Sequence, residues 1–381
     1  MDISITDHRS TSESEHVSIS ARLPVFPWDR LEPYKATAVA HPDGVVDLSV
    51  GTPVDPVPEV IRRALAAAAD SPGYPLTYGT RALREAAAGY LSRWHGVSGA
   101  DPANILPLLG SKELVGWLPT LLGIEAGDRV AYPRLAYPTY EIGALVARAE
   151  PVTYDDPVTE LDPDGLKLLW LNSPSNPTGR VLSAAELRRI VAWAREHGVL
   201  VVSDECYIEL GWEGAEPVSV LHPDVCGDSH EGLIAVHSLS KRSNFAGYRG
   251  AFLAGDASVV AGLLEVRKHV GMIVPAPVQA AMVAALDDRE HAVEQKERYA
   301  RRRAALRTAF EGAGFRIEHS EASLYLWATR AENCWDTVGD LAKRGILVAP
   351  GEFYGPTGER FVRIAFTAVD ERVAAAVERL R

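Results

Sequence analysis

Cysteine is what this chain has least of for its length: three residues in 381. Cys206, Cys226 and Cys334 are too few and too scattered for a disulfide framework or a zinc site. No metal site is expected, and the scarcity predicts a reducing, cytoplasmic setting. No apolar run approaches the ~20 residues of a membrane span. The N-terminus lacks the basic-then-apolar pattern of a secretion signal. Positive charge is also short, with 39 Lys and Arg against 51 Asp and Glu and a formal net charge of −12. Neither nucleic acid nor an anionic membrane surface is expected as a partner. The chain has no internal repeat.

What is present is globular: 47% hydrophobic and 24% charged residues. The length exceeds one typical core, which predicts a large domain with a smaller companion. Residues 1–20 are polar and rich in Ser, Thr and Glu, and read as a disordered tail. From about 45 to 255, short apolar runs alternate with helical patterns. That alternation predicts an α/β fold with a mainly parallel sheet covered on both faces; we assign residues 46–285 to this large domain. After about 290 a long charged helix leads into short strands. Residues 286–381, with 21–45, read as a smaller α+β domain.

Ligands gather past the carboxyl ends of strands in such sheets. Three polar clusters stand there: Asn172 to Asn176, Asp204 to Tyr207, and Ser238 to Lys241. The last continues as Arg242-Ser243-Asn244-Phe245-Ala246-Gly247-Tyr248-Arg249-Gly250. Its hydroxyls and Arg249 suit a phosphate, its glycines allow close backbone approach, and Lys241 can form a Schiff base with a carbonyl cofactor. Taken singly, each cluster has a plain alternative. Lys241 could be a surface lysine, and Asn172-Ser173-Pro174-Ser175-Asn176-Pro177-Thr178-Gly179 is made of turn formers. Gly110-Ser111-Lys112-Glu113 opens a helix after an apolar run and offers free N–H groups to an anion, although many helices begin this way. Their common placement is what argues for one site.

Asn176-Pro177-Thr178-Gly179, Asp204 with Tyr207, Ser238 and Ser240-Lys241 with Arg249, and a late Phe361-Val362-Arg363 together resemble the fold-type I, class I/II aminotransferases. The likeness runs in order over residues 24–381. Leu48-Ser49-Val50-Gly51-Thr52-Pro53, Gly110-Ser111-Lys112-Glu113-Leu114 and Val348-Ala349-Pro350-Gly351-Glu352-Phe353 resemble more narrowly the actinobacterial N-succinyldiaminopimelate aminotransferases of lysine biosynthesis. The resemblance implies the PLP-dependent transferase fold, pyridoxal 5'-phosphate as cofactor, and a homodimer with shared sites. It implies that Lys241 carries the cofactor and moves the substrate Cα proton, a double task that suits an amine whose pKa falls on burial. Asp204 would pair with the ring nitrogen, and Tyr207 and Asn176 with the ring oxygen. Ser111 and Lys112 backbone N–H groups, Ser238, Ser240 and Arg249 would hold the phosphate, with Tyr74 reaching in from the other subunit and Tyr78 as its rival. Tyr137 would stack on the ring. Arg363 would clamp the substrate α-carboxylate through two parallel bonds, and Gly51 would add a backbone contact.

The substrates so implied are small amino and oxo acids: glutamate with 2-oxoglutarate, and a succinylated amino-oxo diacid. Their extra carboxylates need a second cation; Lys112, Arg134, Arg242 and Lys268 are the candidates. Ser320-Glu321-Ala322-Ser323-Leu324-Tyr325-Leu326-Trp327 departs from the glycine-rich stretch of relatives, which predicts a narrower pocket. Gly271 to Gln279 is a segment that could reach a partner's site. Transamination of another acid pair, a β-lyase reaction on cystathionine, and a non-catalytic cofactor sensor are the alternatives.

Overall fold

Burial on both faces explains why the central strands are continuous apolar runs. The computed structural model describes residues 18–381. Most of the expected tail therefore lies outside the described residues, and from Ser18 the chain enters a single 3-10 turn at Ile19–Arg22. Strand β1 is Val46–Asp47. There follow β2 (Ile105–Leu108), β3 (Arg129–Pro133), β4 (Glu150–Tyr154), β5 (Leu166–Asn172), β6 (Leu200–Asp204), β7 (Leu233–Ser238) and β8 (Ala251–Gly255). The last five are β9 (Arg316–Glu318), β10 (Tyr325–Thr329), β11 (Ile346–Leu347), β12 (Ala349–Pro350) and β13 (Val362–Ala365).

Seven strands form one sheet in the order β2-β8-β7-β6-β5-β3-β4. Strands β3 to β7 pair in parallel, and β8 is antiparallel to both neighbours. This is the expected mixed α/β architecture. Alternate residues of the central strands serve two cores. Leu169, Leu171, Val201, Leu233 and Ala235 face one; Leu168, Trp170, Val202, Ile234 and Val236 face the other. Each such branched or aromatic side chain contributes roughly 1.5–3 kcal/mol by leaving water, so a one-residue slip would cost both layers.

A third core gathers Leu31, Val46, Leu48, Tyr299, Leu306, Phe310, Leu326, Trp327 and Ile364. It lies against an antiparallel sheet in the order β12-β13-β10-β9. Here the structure corrects one reading. The alternation expected from about residue 45 does not begin with a strand of the parallel sheet: only β1 forms there, and it pairs in parallel with β11. The chain then crosses to the large sheet through Gly51-Thr52-Pro53. Asp55, just beyond, is fixed by Arg302 of the helix Glu290–Gly312, with Nη2 to Oδ1 at 2.7 Å.

Candidate active site

Asn172, Asp204 and Ser238 are the last residues of β5, β6 and β7. Parallel pairing sets Asn172 opposite Asp204, so the three polar clusters meet at one edge. The Asn172 amide donates to Asp204 O at 3.1 Å, and its Oδ1 accepts Asn176 N–H at 2.8 Å. Asp204 Oδ2 accepts the Tyr140 hydroxyl at 2.8 Å, and Oδ1 accepts Cys206 N–H at 3.2 Å. Burial raises the Asp204 carboxyl above its usual range, against the pull of those donors. Among the described residues, no lysine or arginine pairs with it.

Ser238 caps the short turn Leu239–Arg242, its Oγ accepting Ser240 N–H at 3.2 Å. That turn carries Lys241 over the strand end. Lys241 Nζ donates to Gly51 O at 2.5 Å, which brings the loop after β1 to the lysine. Burial lowers the Lys241 pKa; Tyr325 and Cys206 oppose that, while Arg363 and Arg249 add to it.

The helix Ser111–Leu121 starts at Gly110 with φ of 83° and no side-chain cap, which leaves its first N–H groups free. A Cβ on Gly110 would overlap Arg249 Nη2. Arg249 itself has φ of 61° and donates to Ala246 O at 2.9 Å; a non-glycine residue held there is strained. Arg249, the first turn after Gly110, Ser238 and Ser240 thus form a cradle for an anion. Tyr137 lies edge-on to Tyr140 at 6.0 Å, and burial pushes its hydroxyl up to about 12.

Arg363 comes from β13 and is buried. Its Nη1 donates to Asn176 Oδ1 at 3.0 Å and its Nη2 to Ser49 O at 2.6 Å, while Nε has no partner among the described residues. The Tyr207 hydroxyl is 3.0 Å from that of Tyr325. Tyr325 covers the Arg363 guanidinium at 3.9 Å and fills the space a Cβ at Gly51 would need. An unbroken chain of contacts therefore runs from Lys241 through Gly51, Tyr325, Arg363, Asn176 and Asn172 to Asp204.

Of the residues expected from sequence, Tyr74 is not brought into this group. It is fully exposed on its loop. Its rival Tyr78 is committed elsewhere, its hydroxyl donating to Ala103 O at 2.6 Å. Gln279 is wholly buried between Thr80 N–H and Val274 O, so the side chain at that end of its segment points inward. Sequence reasoning missed Tyr140 and Tyr325. Tyr140 carried a signal, one helical turn after Tyr137. Tyr325 lay in a departing stretch, with nothing local to single it out.

A group with a cationic ring N–H at one end and a phosphate at the other satisfies both Asp204 and the anion cradle. Residues 43–380 match the family model for aminotransferase class I and II. The chain is 62% identical over 358 residues to 4-dedimethylamino-4-oxo-anhydrotetracycline transaminase OxyQ of Streptomyces rimosus, covering 94% of this chain and 99% of that one. It is also 62% identical over 362 residues to Rv1178 of Mycobacterium tuberculosis, named as a probable aminotransferase, covering 95% and 86%. A solved structure from Thermus thermophilus, of a probable N-succinyldiaminopimelate aminotransferase, superposes with a TM-score of 0.84 at 30% identity, covering 93% and 99%.

Proposed function

Because the chain belongs to the class I and II aminotransferases, a family that uses pyridoxal 5'-phosphate, we propose that it transfers an amino group from glutamate to N-succinyl-2-amino-6-oxopimelate. That is the succinyldiaminopimelate transaminase step of diaminopimelate and lysine synthesis. When bound, the cofactor supplies an electron sink for the substrate carbanion. The chain's own groups do the rest. Asp204 holds the ring N–H and keeps it protonated. Tyr207 and Asn176 bond the ring oxygen, and Tyr137 covers a ring face. Ser238, Ser240, Arg249 and the Ser111 and Lys112 N–H groups hold the phosphate. Arg363 and Gly51 would fix the α-carboxylate, and Lys241 would move the proton between the substrate Cα and the cofactor. The donor and acceptor acids would occupy the site in turn.

The observation that carries this reading is the buried Arg363. Its Nε is unpaired among the described residues, and it is linked through Tyr325 and Gly51 to a lysine whose pKa burial lowers. A carboxylate held there presents its Cα to a competent base. For the distal acid, three of the four candidate cations already have acidic partners. Arg242 is buried against Glu209 at 3.0 Å. Arg134 pairs with Asp155 at 2.7 Å and Lys268 with Glu265 at 2.6 Å. Lys112 remains, without an acidic partner among the described residues and about 6 Å from the Tyr137 and Phe26 rings.

The OxyQ relative, at 62% identity, favours a second reading in which the amino acceptor is a 4-oxo-anhydrotetracycline. One assay separates them: purified protein, glutamate as donor, each oxo compound in turn, and 2-oxoglutarate as the readout. Turnover with the succinylated acid well above that with pyruvate, oxaloacetate or aromatic oxo acids is expected. Equal rates, or preference for the tetracycline, would sink the succinyl assignment.

A further inference from the structure

Tyr325 meets the site at three points. Its ring lies over the Arg363 guanidinium, with Arg363 Cζ 3.9 Å from the ring centre, and Tyr354 flanks the same Cζ at 4.8 Å. Its hydroxyl is 3.0 Å from the Tyr207 hydroxyl. The same oxygen occupies the place of a Cβ at position 51, so a glycine there and a tyrosine here are sterically matched. It is also buried, which removes competing water.

We propose that Tyr325 is a positioning residue serving both halves of the site: its ring sets the plane of Arg363, and its hydroxyl sets how strongly Tyr207 donates toward the cofactor ring oxygen. The ring argument is geometric. Arg363 is already bonded at Nη1 and Nη2 to Asn176 and Ser49. Two aromatic rings pack close to the guanidinium carbon, and a ring stacked on a guanidinium leaves its N–H edge for a carboxylate. Stacking also favours the cation while leaving its N–H groups free.

The hydroxyl argument concerns one shared proton. Burial pushes both phenols up. Arg363 and Lys241 work against burial at Tyr325. In the reading above Tyr207 gives its one hydroxyl proton to the cofactor ring oxygen, so across the 3.0 Å contact its oxygen can only accept from the Tyr325 hydroxyl. A hydroxyl that accepts a bond donates a stronger one onward.

This rests on the reading of Lys241, Tyr207 and Arg363 given above. The test uses the full chain loaded with pyridoxal phosphate. Its readouts are the pH midpoint of the visible absorbance band and the Kd of maleate, a dicarboxylate that cannot react. Tyr325→Phe should raise the midpoint by about half a pH unit, because the ionised ring oxygen loses support. Maleate affinity should stay within about twofold, since the ring is kept. Tyr325→Leu should weaken maleate about tenfold. Tyr325→Phe removes one oxygen and keeps the packing, so it decides the matter even if the leucine variant is unstable. A phenylalanine variant titrating at the wild-type midpoint, or a leucine variant binding maleate as wild type does, overturns the proposal and leaves Tyr325 as core filling. A wild-type protein with no visible band removes the underlying reading instead, and this one with it.

Discussion

Asp204 holds a charge that its own chain does not balance. Tyr140 and Cys206 donate to it, yet burial still lifts its pKa. A carboxyl raised in the folded state favours folding at low pH, and that contribution is lost as pH rises through the folded pKa. Above that point the cofactor-free protein carries a buried anion with no cation. Replacing it by the isosteric amide removes the penalty. We expect Asp204→Asn to melt about 1–3 °C higher than wild type at pH 8 when free of cofactor. The difference should shrink toward zero below about pH 3, where the wild-type carboxyl is protonated folded and unfolded alike. The same change should weaken pyridoxal phosphate by at least about thirtyfold, since a buried cation then lacks its partner. Melting curves across pH and a fluorescence titration with cofactor check both parts. An amide variant that is less stable at pH 8 would show that Asp204 is already compensated.

At the scale of elements, each strand end has two sides. Asp204, Ser238 and Lys241 face the site, whereas their neighbours Glu205, His237 and Arg242 turn into a buried layer behind it. Glu205 Oε1 accepts Val220 N–H at 2.7 Å, and its Oε2 lies 3.2 Å from His237 Nε2. Glu209 pairs with Arg242 at 3.0 Å and Arg289 at 2.9 Å. Burial works to raise the Glu209 pKa, but Arg242, His95 and Arg289 outweigh it and hold the carboxyl well below its usual range. Its contribution to stability is therefore present above the ordinary carboxylate pKa and fails only in strong acid. Glu209→Ala leaves two cations without their anion and should cost about 3–5 kcal/mol by denaturant titration. A loss under about 1 kcal/mol, the value of an exposed pair, would mean that water reaches the layer. The front of these strands was legible in sequence because apolar runs ending in polar clusters are local features. The back layer was not, since His95, Glu209, Arg242 and Arg289 meet only through tertiary packing. Tyr325 escaped for the same reason: Gly51, Tyr207 and Arg363 are each distant from it in sequence. The two-residue β1 misled because its partner β11 lies about 300 residues away, and its apolar character serves the third core rather than the sheet.

At the scale of the molecule, one expected site residue has nowhere to act within its own chain. Tyr74 and Leu76 stand exposed on one loop, while Arg249, at the anion cradle of Gly110, Ser238 and Ser240, is exposed as well. We propose a homodimer in which each Tyr74 reaches the other subunit's cradle. Two-fold symmetry then makes a sharp prediction. Lys241→Ala abolishes proton transfer, and Tyr74→Ala weakens cofactor binding, so each variant alone has little activity at limiting cofactor. Co-expressed in equal amounts, half of the dimers are mixed. Each mixed dimer has one site with both changes and one with neither, so activity should recover to about a quarter of wild type. The same mixture would stay inactive if Tyr74 served its own chain, because every site would then carry one lesion. Recovery therefore reports the geometry of sharing itself, which a molar mass from light scattering does not.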